Sequence, residues 1–176
     1  MRPYLLCVVC LAVCGLAPAS HAQPAAANLD PADQVVGLFS ATCLQFGGSP
    51  ADMRGFLNQQ HAPQMPKQAT DAFLAGRHGQ VFDVSYQTVK LALVSMDDGS
   101  CEAVAEKGDA TKVLSLLNTA ARENQVTLQK LAGQGDKTRP GVQQTAYGLT
   151  LGGKPMHILV STETPAPQIV LTLVPK

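Results

Sequence analysis

The 176-residue chain carries 13 Lys and Arg against 13 Asp and Glu, has no Trp and is 5% aromatic. It therefore lacks both the basic excess that neutralises phosphates and the rings that stack on bases, which argues against nucleic-acid binding. Its length is that of one domain with a core of its own.

The N-terminus has the composition of an export signal. Arg2 precedes an uncharged apolar run over residues 4–14. That run is shorter than the ~20 residues a membrane span needs and fits the ~7–15 of a signal-peptide core. Small residues follow, and cleavage after Ala22 places Ser20 and Ala22 where small side chains are required; Ala19 offers a second site. Residues 1–22 are expected to be a signal peptide, 23–29 an Ala/Pro-rich spacer and 30–176 a single domain. Leu11-Ala12-Val13-Cys14 approximates a lipidation site, but Val13 stands where Gly, Ala or Ser is wanted, so the expected form is not a lipoprotein. No later segment is long and apolar enough to cross a membrane, and the expected destination is the periplasm or the exterior. Without residues 1–22 the net charge is −1.

Three of the five cysteines lie in that leader, which leaves Cys43 and Cys101. An even pair in an exported protein reads as a disulfide.

In chain order, Asp30-Pro31-Ala32-Asp33 has the form of a helix start: a capping Asp, Pro at the first position and an acid in the first turn. Val36, Phe39, Cys43 and Phe46 then recur at helical spacing, and Gly47-Gly48 stops the helix. Ser49-Pro50-Ala51-Asp52 opens a second helix to about residue 60, and residues 67–75 form a short third one ended by Gly76. Strands are expected over 81–85, 88–96 and 100–106, the last two joined at Asp97-Asp98-Gly99. A helix over 110–123 comes next, with Val113, Leu116, Leu117 and Ala120 on one face. Strands over 126–132, 142–151, 156–161 and 169–174 complete the chain, with a hairpin turn at Gly152-Gly153. Strands that succeed one another through tight turns imply an α+β fold, with a largely antiparallel sheet, helices packed on one face and one disulfide.

Register sharpens two expectations. A two-residue turn at Asp98-Gly99 would pair Met96 with Cys101, giving Cys101 the company of Val94 and Ala92; a three-residue turn would shift the faces. A two-residue turn at Gly152-Gly153 would pair Gly148 with His157 and separate His157 from the apolar set of Tyr147, Leu149, Met156, Ile158 and Val160.

Chemistry-bearing motifs are sparse. The chain has no Gly-x-Ser-x-Gly, no His-Glu-x-x-His and no phosphate-cradling loop. A Cys43–His157 thiol–imidazole pair conflicts with a Cys43 placed in the core. Met53, His61, Met65 and His78 are too scattered for a copper site. Asp97-Asp98-Gly99 runs into a strand rather than into the rest of a calcium loop. No cofactor or metal is expected. The function expected is that of an exported, non-enzymatic binding, inhibitor or accessory protein of the cell envelope, with an envelope or secreted protein as partner; the alternative is a small secreted hydrolase without a recognisable motif. The expected contact set lies on the loops and rim of the last strands: Lys137, Arg139, Lys154, His157 and Glu163.

Overall fold

A computed structural model describes residues 30–132, 141–163 and 168–176. The expected leader and spacer, and Lys137 and Arg139 of the expected contact set, lie outside the described residues.

Asp30 caps the first helix, α1 (Pro31–Phe39), its carboxylate accepting from the Ala32 N–H at 2.8 Å. The helix then widens into a π-helical turn over Ser40–Leu44, closed by a bond from the Gln45 N–H to the Ser40 carbonyl. The extra residue rotates the next turn about the helix axis: Thr42 and Cys43 are buried, whereas Phe46, expected on the same stripe, is only half-buried. Helix α2 (Pro50–Gln59) comes after the left-handed Gly47 and Gly48. At its start the Ser49 hydroxyl donates to Asp52 at 2.6 Å rather than accepting from a backbone N–H. Helix α3 (Lys67–Leu74) ends in Ala75 and Gly76, both with positive φ.

Next come β1 (Gly79–Asp83), β2 (Leu91–Met96) and β3 (Cys101–Ala105), then α4 (Ala110–Glu123), capped by Asp109. Strands β4 (Gln129–Lys130), β5 (Val142–Leu151), β6 (Lys154–Glu163) and β7 (Ile169–Pro175) complete the chain. The expected strand over 126–132 shortens to two residues. Gln125 turns with φ +57° and Val126 donates back to the Ala121 carbonyl, so the first half of that segment finishes the helix. Similarly, β2 begins at Leu91, because Tyr86 and Val89 bond to each other across a turn.

All seven strands pair antiparallel in the order β1-β2-β3-β7-β6-β5-β4. Two runs of neighbouring strands, β1 to β3 and β4 to β7, are joined by β3 against β7, with α4 in the connection. The α+β class, the antiparallel sheet and the disulfide are as expected from the sequence.

The main core lies between one face of this sheet and helices α1, α2 and α4. Phe39, Leu117, Leu93, Ile158 and Leu171 are fully buried there. Lys112 ties the starts of α1 and α4 together, at 2.7 Å from Asp30 and 2.6 Å from Asp33. Arg54 of α2 reaches the sheet, donating to the buried Ser95 hydroxyl at 2.9 Å and its carbonyl at 2.7 Å, and pairing with Asp97 at 2.6 Å. Helix α3 is the one that packs on the other side: Leu74 meets Val81, Val94 and Met96, whose side chains point away from the main core.

The turn between β2 and β3 has three residues, Asp97-Asp98-Gly99. Met96 pairs with Ser100, its N–H donating to the Ser100 carbonyl at 2.9 Å, and Ser95 stands opposite Cys101. Cys101 therefore shares its face with Leu91, Leu93 and Ser95, not with Ala92, Val94 and Met96. The cause is Gly99, which takes φ +89° and adds the third turn residue. Its site is also confined: a Cβ there would sit 2.9 Å from the Gly48 carbonyl oxygen. The disulfide joins Cys43 in the π-turn to Cys101 at the start of β3, Cα to Cα 5.5 Å, with both residues buried. At Gly152-Gly153 the turn has two residues, both left-handed, and Gly148 pairs with His157 as expected.

A candidate binding groove on the open face of the sheet

Alternation along the strands gives the sheet a second face of different composition. One row across β3, β7, β6 and β5 reads Glu102, Thr172, Leu159, Ala146; the next reads Val104, Val170, Ser161, Gln144. Helix α3 packs over β1 and β2 on this side, while Val170, Thr172, Leu159 and Ser161 remain half-exposed. The contrast runs through single strands: in β7, Ile169, Leu171 and Leu173 are fully buried and Val170, Thr172 and Val174 are not.

The uncovered area forms a groove of about 490 Å³, bounded by Phe73 of α3 on one side and Val142 and Gln144 on the other, with Val104, Val170 and Thr172 in its floor. That volume is in the range of small-molecule sites, roughly 300–1,000 Å³.

Two charged residues meet in this groove. The Glu102 side chain is 14% exposed and that of Arg77 48%. Arg77 lies just past the C-terminus of α3, where its backbone N–H and its Nε both donate to the Leu74 carbonyl, at 2.9 and 3.2 Å. Both of its terminal nitrogens then approach one Glu102 oxygen, Oε1, at 3.4 Å. This is a long contact for a charge-assisted bond, which is ordinarily about 2.7–2.9 Å. No described residue donates to the other oxygen, Oε2. Burial pushes the Glu102 carboxyl above its ordinary range, opposed by the Arg77 charge and helped by Asp98. Beside them, the Gln144 amide donates to the Ser161 hydroxyl at 3.0 Å.

A second carboxylate, Glu163, also lines the groove. It lies two strands from Glu102 and four residues further along β6 than Leu159, the residue in the Glu102 row. Strand geometry makes that about 16 Å between Cα atoms. Among the described residues no three His, Cys, Asp or Glu converge as metal ligands. Met53 is buried with its sulfur 3.6 Å from Cys101 Sγ, whereas His61 and His78 are exposed. Cys43 is in the disulfide on the main core side and His157 points from the opposite face.

The described members of the expected contact set occupy three places. Glu163 lines the main groove. His157 lines a groove of about 500 Å³ beside Gln129, Thr150 and Lys176. Lys154 lines an indentation of about 320 Å³ at the Gly152-Gly153 hairpin. Glu102 and Arg77 do not stand out in the sequence. Their signal is present in part: Glu102 is the single charge within Cys101–Ala105, and alternation sends it to the face opposite Cys101.

Comparison with protein-family models, curated proteins and solved structures returns no match.

Proposed function

We propose that the protein is an exported, non-catalytic binding module of the cell envelope that receives its ligand on the open face of the sheet, in the groove between α3 and β5. The observation that carries this reading is Glu102. Its carboxylate stands in a central strand at the groove, and one of its oxygens, to which no described residue donates, is an acceptor a ligand can reach. Export is supported by the leader-like residues 1–22 and by the disulfide, a bond that persists in oxidising compartments. Among the described residues no helix is long and apolar enough to cross a membrane.

Site-specific photo-crosslinking in the native envelope tests the reading. A photoreactive amino acid at Val170, in the groove floor, is compared with one at Glu123, exposed at the end of α4. A discrete adduct from position 170 that is missing from position 123 is the expected result. Equal labelling from both, or none from 170, overturns the proposal. Turnover of an envelope substrate that Glu102→Gln abolishes would replace it with a catalytic one.

A further inference from the structure

Resting on that reading, we infer that the groove takes a cationic group, a primary ammonium or a guanidinium on an apolar stem, with the cation on Glu102 and the stem along Val104, Val170 and Phe73. Arg77 has its Nε on the Leu74 carbonyl and both terminal nitrogens towards Glu102 Oε1, so three of its five donors face acceptors. Glu102 Oε2 is the acceptor left without a described donor, and an ionised carboxylate accepts and cannot donate. An anionic ligand at Arg77 would meet the Glu102 carboxylate beside it. A metal ion would need several further oxygen ligands, which the described residues do not bring to this place. An ammonium needs one strong acceptor and a few weaker ones. The Thr172 hydroxyl qualifies, because Thr172 stands directly opposite Glu102 across β3 and β7. The floor beside them is apolar, with Val104 buried and Val170 half-buried, which suits a short methylene stem.

Such a group could belong to a free amine or to a lysine side chain, and the probes separate the two. The exported protein, labelled with nitrogen-15, is titrated at physiological salt with n-pentylammonium, 1,5-diaminopentane, Nα-acetyl-lysine-methylamide, neutral 1-pentanol and hexanoate. The two amines or the lysine amide should shift the amides of Glu102, Val104, Val170 and Thr172 saturably, at least tenfold more tightly than pentanol. Tighter binding of the diamine assigns a small-molecule amine; tighter binding of the lysine amide assigns a protein side chain. Glu102→Gln preserves shape and removes the charge, so it should erase the preference for amine over pentanol while leaving the spectrum folded. Hexanoate binding more tightly than the amines, or an amine preference that survives Glu102→Gln, overturns the inference and leaves the proposed binding face intact. If no probe shifts these amides, the cation assignment falls; if crosslinking at Val170 also fails, the binding face falls with it.

Discussion

Replacing both cysteines by alanine should remove about 4 kcal/mol of stability. The Cys43–Cys101 bond spans 58 positions, and the chain-entropy cost of leaving a loop of that length open is about 4 kcal/mol at 25 °C. Alanine is the appropriate replacement because both sulfurs are buried, and serine would leave a hydroxyl in an apolar site. At roughly 2–4 °C per kcal/mol for a domain of about 150 residues, the melting temperature should fall by roughly 8–16 °C. Small domains have about 5–15 kcal/mol in all, so the variant should still fold. Urea denaturation monitored by far-ultraviolet circular dichroism reads the loss, and its slope should steepen because the uncrosslinked chain exposes more surface when unfolded. Each single substitution already opens the bond, so the double variant should be little worse than either single one. A loss below about 1 kcal/mol with an unchanged slope would refute the reasoning: the π-turn and β3 would then be held by packing alone.

The other perturbations are more local. Arg54→Met should cost about 1–3 kcal/mol by urea denaturation, since the buried Ser95 hydroxyl and the Ser95 carbonyl each lose the donor that Arg54 supplies. Gly99→Ala should cost at least about 1–2 kcal/mol, because the residue is left-handed and its Cβ would press on the Gly48 carbonyl; calorimetry of the purified variant checks it. The Lys112 ammonium and the Ala32 N–H hold the Asp30 carboxyl below its ordinary 3.8, so its contribution is present above that pH and disappears as pH falls through the depressed value. Asp30→Asn should therefore flatten the acid limb of the stability profile. Glu102 behaves in the opposite sense: burial raises its carboxyl above the ordinary 4.5, so the stability it contributes is present below that pH and is lost as pH rises through the raised value. The stability of Glu102→Gln minus that of wild type should thus increase from pH 3.5 to pH 7.5, and a decrease would mean that the Arg77 pairing outweighs desolvation.

Much of this fold is legible in the sequence because its signals are local. Asp30 before Pro31, the apolar spacing in α4 and the left-handed pair Gly152-Gly153 each act within a few residues, and each produces the element expected. The turn after β2 is legible as a turn but not in length. Asp-Gly serves both two-residue and three-residue hairpins, and the choice here rests on Gly99 docking against Gly48, a contact distant in sequence. The π-turn is not legible either: its inserted residue goes with burial of Cys43 against β3, while the surrounding sequence still has helical spacing. The groove is the least legible part. It depends on β3 pairing with β7, which brings Glu102 opposite Thr172 from 70 positions away, and on α3 crossing to the second face beside Arg77. Loops and strand ends at the rim carry the more conspicuous polar residues, which is why Lys154, His157 and Glu163 stand out in the sequence and Glu102 does not.

The position of Glu102 also separates fold from function on energetic grounds. Burying one Val or Leu side chain is worth about 1.5–3 kcal/mol, and the main core takes that gain from alternate residues of β7 and β3. On the opposite face the same two strands place Thr172 and Glu102 at the middle of the sheet, where edge protection gives no reason for a charge. An uncharged residue of similar volume there would remove the desolvation that raises the carboxyl, and Arg77 would still be held at the end of α3 by the Leu74 carbonyl. Neither the disulfide nor the layer of α1, α2 and α4 depends on Glu102, since both lie across the sheet from it. What the carboxylate provides is an acceptor, held by a rigid central strand and open to a groove, which the fold does not need and the proposed binding role does.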